Sequence, residues 1–234
     1  MIVSYNFYYF IYSKPHNTFV PIKIIYTKMK KVLIINGGQN FGHSGGKYNA
    51  TIAENTLDVL RTFENVDVKI TNVNEGYDKN EEVAKFVWAD YIIYHTPIWW
   101  FQLPNGLKKY IDEVFTAGHA KGIYMSDGRT SDNPEINYGT GGMLGGRKYM
   151  VTTSWNAPET AFKLPGEFFN ETSVDDGPLF GFHRMNAFVS LKKLESFHFH
   201  DVEKNANVER DMKLYREHLV KVFEKELQTQ YLIL

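Results

Sequence analysis

The stretch Lys31-Val32-Leu33-Ile34-Ile35-Asn36-Gly37-Gly38 is an unbroken aliphatic run closed by two glycines. A strand with one face in water alternates apolar and polar residues, whereas an uninterrupted run of this length reads as a central parallel strand covered on both faces. A glycine-dense polar loop, Gln39 to Lys47, comes next, and then Ile52, Ala53, Leu57, Leu60 and Phe63 recur at helical spacing. Such an order sets free backbone N–H groups at a helix N-terminus, where the helix dipole also favours an anion. The loop is therefore a candidate phosphate cradle, with Ser44 placed to cap and Lys47 or Thr51 to add a donor. It carries neither the Gly-Lys-Ser/Thr ending of a Walker A loop nor a GxGxxG fingerprint, so a plain strand-to-helix turn stays open as a second reading. His43, in the same loop, reads as a hydrogen-bonding residue rather than a catalyst.

Outward from this strand the pattern repeats with variations. Val66 to Thr71 alternates apolar and polar residues, as a strand at a sheet edge does, while Tyr91-Ile92-Ile93-Tyr94 is again a buried run, preceded by a short helix from Glu81 to Trp88. Tyr149 to Ser154 reads as a fourth strand, and Phe188 to Phe199 supplies the last. An alternating second strand outside the first and a buried third strand inside it give the order 2-1-3-4-5. The expected architecture is α/β, a flavodoxin-like doubly wound parallel sheet whose ligands sit at the carboxyl ends of strands 1 and 3.

The segment Thr96-Pro97-Ile98-Trp99-Trp100-Phe101-Gln102-Leu103-Pro104 lies at that rim. Two prolines fix its ends, and three consecutive aromatics cannot all enter one core, so at least one ring should face a cleft. The competing reading is that Trp99, Trp100 and Phe101 plug the top of the sheet. Leu107, Tyr110, Ile111, Val114 and Phe115 then mark an amphipathic helix over 105–115. Residues 118–147 show turn chemistry rather than periodicity and suit a lid or an interface piece, and 159–184 form a second irregular excursion rich in Phe, Gly and Pro. Val208, Met212, Tyr215, Leu219 and Val222 close the chain with another amphipathic helix.

Composition narrows the function classes. The 234 residues are 43% hydrophobic, enough for one sizeable core, and the formal net charge of −1 leaves no basic footprint for nucleic acid. Without cysteine the chain has no disulfides, thiolate metal sites or Cys nucleophile, which suits a reducing cytoplasm. Residues 1–28 differ from the rest, with aromatics crowded between Tyr5 and Tyr12, but they lack the charged start of a signal peptide, and their apolar run is shorter than an integral membrane segment needs. Met29 is the expected natural start, with 1–28 an extension outside the native fold and 29–234 one domain. Gly-x-Ser-x-Gly and His-Glu-x-x-His are both absent, and His198 and His200 read as polar positions of the last strand rather than metal ligands. A glycine loop, a Trp-Trp-Phe loop and Ser154-Trp155-Asn156 at one rim suit a flavin.

Seven runs also resemble one family: Val32 to Gly37, His43-Ser44-Gly45, Asn49-Ala50-Thr51, Trp88-Ala89-Asp90, Lys108 to Asp112, Ser126 to Thr130, and Trp155-Asn156-Ala157-Pro158. Together, over about residues 29–223, they look like the modulator of drug activity B proteins, FAD-dependent NAD(P)H:quinone reductases with a flavodoxin-like fold. The resemblance implies FAD contacts from Ser44-Gly45-Gly46-Lys47-Tyr48-Asn49-Ala50-Thr51, from Pro97-Ile98-Trp99-Trp100, at Tyr138, and from Ser154-Trp155-Asn156-Ala157. It further implies a homodimer whose site is shared between subunits, and ping-pong transfer of two electrons from NADPH to a quinone. Within it, Trp99, Trp100 and Phe101 are expected as pocket walls, Asn156 or its neighbouring backbone as ring contacts, and Tyr138 as a gate or ring-edge donor, with a packed loop anchor as the equal alternative for Tyr138. The Tyr-His pair that follows the fourth strand in DT-diaphorase-type reductases has no counterpart here. Rival readings are an azo- or nitroreductase on the same scaffold, an FMN electron carrier and a cofactor-free binding module.

Overall fold

The computed structural model describes residues 5–8, 25–42, 44–227 and 230–231, with side chains from 29 to 227 except His43. Five parallel strands form the main sheet: β1 (Lys30–Asn36), β2 (Val66–Asn72), β3 (Tyr91–Pro97), β4 (Lys148–Ser154) and β5 (Phe197–Phe199). Their order is β2-β1-β3-β4-β5, the expected 2-1-3-4-5. In addition, the two-residue piece Lys192–Lys193 pairs with the start of β4.

Side-chain alternation along β1 divides the core. Val32 and Ile34 point to one face, where α1 (Lys47–Leu60) supplies Ile52 and Leu60 and the closing helix supplies Tyr215 and Leu219. Leu33 and Ile35 point to the other, against Phe86 of α2 (Lys79–Trp88) and Leu107 and Tyr110 of α3 (Asn105–Ala117). All four β1 side chains are fully buried, each worth roughly 1.5–3 kcal/mol, so this strand anchors both layers. On β2, Asp67 and Lys69 are exposed, as an edge strand allows.

Downstream, the excursion resolves into a short helix α4 (Thr160–Lys163), a run of turns and α5 (Phe180–Phe188), before α6 (Val208–Glu226). The expected strand over 188–199 is corrected here: its beginning is the end of α5, and the rest meets the sheet in two short pieces, Lys192–Lys193 beside the start of β4 and Phe197–Phe199 as β5. Asn186 hid that helix, because it occupies a buried position where periodicity calls for an apolar residue. Its amide is satisfied by Tyr94 Oη, which donates to Oδ1 at 3.2 Å, and by its own donation to the Phe182 carbonyl. Ser190, with φ 70°, then turns the chain towards Lys192.

Within the 1–28 extension, Tyr5–Tyr8 pairs antiparallel with Ile25–Lys28, which pairs in turn with Gln230–Tyr231. Residues 1–4 and 9–24 lie outside the described residues, as does His43. Among the described residues no helix is long and apolar enough to cross a membrane.

Candidate functional site

Loops after β1, β3 and β4 meet in one cleft of about 450 Å³, lined by 44–49, 97–99, Ser154 and Asn156, with Val202 and Glu203 from the loop after β5. The turn after β1 is built by Asn36, whose Oδ1 accepts from Gly38 N at 3.0 Å while its Nδ2 donates to Asn72 Oδ1. Gly46 caps α1 with φ 68°, a left-handed conformation, and a Cβ there would lie 3.3 Å from the Gln39 carbonyl oxygen. Ser44 does not cap the helix as expected. No side chain does, and the first turn holds no acidic residue, so no anion of α1 itself neutralises the dipole end that faces the cleft; the carboxylate among the cleft's lining residues is Glu203, from the loop after β5.

Asn49 is the most telling residue of the cleft. Its side chain is 1% exposed, yet only one end of the amide is partnered: Oδ1 accepts from Ser154 Oγ at 3.1 Å, and Nδ2 has no partner. Flipping the amide exchanges the two atoms and still strands one of them. An unpaired buried amide group costs about 1–3 kcal/mol, and it stands here at the wall of an anion-favouring cleft.

Trp99 to Gln102 form a two-residue hairpin turn, with Trp99 N–H to Gln102 O and Gln102 N–H to Trp99 O both at 3.0 Å. Trp100 and Phe101 sit at its apex with φ 49° and 64°, where bulky L-residues are rare. The apex separates the three rings. Trp99 is half-buried beside Phe41 (centroids 5.2 Å apart), Trp100 is 92% exposed, and Phe101 stacks on Phe168 at 5.3 Å. Trp100 and Phe101 line a second chamber of about 440 Å³, which shares Ile98 and Asn156 with the cleft and also takes in Ala157, Pro158, Asp201 and Lys204.

The structure thus brings together Ser44 to Asn49, Pro97 to Trp99, Ser154 and Asn156 in the cleft, and Trp100, Phe101 and Ala157 next to it. Ala50 faces a separate groove between α1 and the carboxyl ends of β1 and β2, and the Thr51 hydroxyl bonds back to the Lys47 carbonyl. Trp155 is buried, its Nε1–H donating to Thr153 Oγ1 at 2.7 Å, and only an edge reaches the chamber. Tyr138 does not line the cleft of its own chain; it is 70% exposed beside Phe188, with Arg129 over its ring. Sequence reasoning missed Asp201, Val202, Glu203 and Lys204. Their place, directly after a parallel strand's carboxyl end, was the available signal.

Two polar networks brace the site from behind. His95, fully buried on β3, contacts Thr152 Oγ1 through Nδ1 (2.7 Å) and Thr56 Oγ1 through Nε2 (3.1 Å), and Thr56 meets Tyr215 Oη at 2.6 Å. Burial pushes its pKa down to about 3, so the ring is neutral. In the second network, the Asp175 carboxylate accepts from His183 Nε2 (2.8 Å), Ser196 Oγ (3.1 Å) and Lys193 Nζ, with His198 Nε2 at 3.4 Å. Burial pushes the Asp175 pKa up, but hydrogen bonds from His183, His198 and Lys193 outweigh it and hold the carboxyl well below its usual range. Tyr149 Oη pairs with His183 Nδ1 at 2.7 Å, and Thr153 joins His198 Nδ1 to the Trp155 indole. The arrangement ties the 159–184 excursion to β4, and through Thr153 to the Trp155 indole whose residue lines the chamber.

Comparison with known proteins agrees with this architecture. The flavodoxin-like fold family pattern matches residues 30–222. The chain is 47% identical over 193 residues to an uncharacterised protein of Schizosaccharomyces pombe, covering 82% of this chain and 97% of the relative. It is 44% identical over 192 residues to the NADPH:quinone oxidoreductase MdaB of Haemophilus influenzae, covering 82% of this chain and 98% of that protein. A Klebsiella pneumoniae structure named as a quinone reductase superposes with a TM-score of 0.63 at 20% identity, over 86% of each chain, which speaks to the fold alone. The chain belongs to the modulator of drug activity B family, within the flavodoxin-like fold.

Proposed function

We propose that the protein is an FAD-dependent NADPH:quinone oxidoreductase of the cytoplasm, reducing quinones to quinols by a two-electron ping-pong reaction. The observation that carries this reading is the cleft itself: an uncapped helix N-terminus, the half-satisfied amide of Asn49 and an aromatic wall converge on one space. The residues present fit a flavin dinucleotide. First-turn N–H groups of α1 with Ser44 and Lys47 would hold the pyrophosphate, and Pro97 to Trp99 with Asn156 would hold the ring. Continuation of the cleft to Val202 and Glu203, past the glycine loop, supports FAD over FMN, because a carboxylate there suits ribose hydroxyls. When bound, the flavin supplies the hydride chemistry.

The chain's own part is to bind, orient and exclude. Trp100 and Phe101 offer flat faces to a planar substrate, and Asn156, shared by cleft and chamber, is placed to hydrogen-bond a ring edge. Polar groups pre-set by β3 and β4 reorganise little when charge develops, which is how such a site lowers a barrier without a strong acid or base.

Purified protein should be yellow, release FAD on denaturation and oxidise NADPH with menadione. A colourless protein that no flavin reconstitutes would end the reading, and azo-dye turnover with negligible menadione turnover would reassign the substrate. Asn49→Leu should weaken flavin affinity about tenfold while the far-UV spectrum stays native, because it removes the buried amide and nearly conserves volume. Fluorescence quenching of added flavin measures it.

A homodimer belongs to the same proposal. Between α3 and α5 runs an apolar groove of about 870 Å³ lined by Leu103, Ile111, Phe115, Phe180 and Phe182, and Met125, Ile136, Met143 and Phe180 are exposed large apolar residues. A second copy seated there would cover them, and Tyr138, absent from its own cleft, would be free to reach the partner's. Sedimentation equilibrium should give twice the chain mass, and Phe180→Glu should shift it towards monomer.

A further inference from the structure

We infer that the chamber beyond Ile98 and Asn156 receives the dinucleotide reductant, and that Lys204 reads the phosphate on its adenosine ribose, making Lys204 the residue that sets preference for NADPH over NADH. The inference rests on the oxidoreductase reading above and adds a specificity determinant to it.

Three observations support the assignment. First, the chamber adjoins the cleft through a common wall of Ile98 and Asn156, so a ring docked in it lies next to one held in the cleft. Trp100, 92% exposed at the apex of its turn, gives that ring or the adenine a flat face to stack on. Second, the loop after β5 divides its charges between the two spaces: Glu203 lines the cleft, while Lys204 lines the chamber. A dinucleotide with an extra phosphomonoester brings nearly two more negative charges; of this loop's two charges the cation is the one on the chamber side, while the cleft's own cation, Lys47, sits at the N-terminus of α1. Third, Lys204 is the one cation among the chamber's lining residues, is exposed, and makes no ion pair among the described residues. The one anion there, Asp201, is held by its own loop: it takes φ 53° and accepts from Asn205 Nδ2 at 2.6 Å. Lys204 is therefore the chamber's charged side chain left without a partner among the described residues, and a lysine binds phosphate as a point charge.

The test uses the flavin-loaded full chain with Lys204→Ala, Lys204→Glu and Lys204→Arg. Steady-state kcat/KM for NADPH and for NADH is measured with menadione as acceptor, beside equilibrium titrations of tryptophan fluorescence with NADP and with NAD. The NADPH-to-NADH ratio should fall about tenfold in Lys204→Ala, further in Lys204→Glu, and be kept by Lys204→Arg. The change should sit in KM, and the salt dependence of NADP affinity should weaken with it. Equal losses for both nucleotides, or an unmoved ratio in all three variants, would overturn the assignment. A wild-type protein that carries flavin but oxidises neither nucleotide would bring down the oxidoreductase reading and this inference together; an unmoved ratio on a competent enzyme brings down only the role of Lys204.

Discussion

Trp100-Phe101 replaced by Asn-Gly should give a protein at least as stable as the parent and on the order of 100-fold poorer in kcat/KM for quinone. Both residues occupy left-handed φ at the apex of a two-residue turn closed by the Trp99–Gln102 backbone pair, and Asn-Gly is the sequence such hairpin turns prefer. Holding an L-residue in that region costs roughly 1–2 kcal/mol each, a cost that Gly removes at 101 and that Asn, which tolerates the region better than Trp, reduces at 100. Against the gain stands little burial: Trp100 is almost fully exposed, and Phe101 contributes chiefly its contacts to Phe168 and Phe169 at 5.3 and 5.8 Å. Trp100→Asn alone should therefore stabilise by about 1 kcal/mol in urea unfolding, while Phe101→Gly should come out near neutral. Strain kept at exposed rings with nothing to cover makes sense where the rings meet a ligand. If the double variant unfolds more easily by over ~2 kcal/mol and turns over quinone normally, the rings serve packing and the site reading fails.

The second large effect is acid sensitivity through His95. Its folded pKa, about 3, lies below the ordinary value of 6.5 because burial opposes the charged ring. The unfolded chain thus binds the proton first. His95 contributes its full stability above pH 6.5 and loses about 1.4 kcal/mol per unit as the pH falls from there towards 3, below which the loss levels off. His95→Gln can keep contacts to Thr152 and Thr56 but does not titrate. It should cost about 1–3 kcal/mol at pH 7 and flatten the decline, so that the two proteins converge and then cross between pH 6 and about 4. Urea midpoints at four pH values test this, and parallel curves for the two proteins would show that His95 does not titrate with folding. Because Thr152 and Thr56 connect β4 and α1, which also carry Ser154 and Asn49, acid should release flavin before the whole sheet melts.

Much of the frame could be read directly. The unbroken apolar run of β1, the alternation of β2 and the amphipathic spacing of α3 each report how many faces of an element are covered, a local property that composition records. The first two of these, together with the buried run of β3, ordered the sheet and put the glycine loop, the aromatic loop and Ser154-Trp155-Asn156 on one rim. Where burial was met by polar residues, periodicity misled: α5 escaped notice because Asn186 fills a core position by hydrogen bonding to Tyr94. The excursion before it is held by Asp175 through His183, Ser196 and Lys193, partners 8 to 21 residues away that no local pattern links.

By itself, then, the sequence determined the layer architecture, the strand order and the rim, since each follows from chain-local alternation and from where glycines and prolines interrupt it. Only the tertiary structure decided which rim side chains share a space. It turned Trp155 inward to Thr153 and Trp100 outward, left Tyr138 away from its own cleft, and brought Glu203 and Lys204 to opposite sides of Asn156. Side-chain direction at a loop is set by backbone torsions and by neighbours distant in the chain, and the left-handed turn at Trp100-Phe101, where sequence preference alone would put Asn-Gly, shows those distant demands prevailing over the local one.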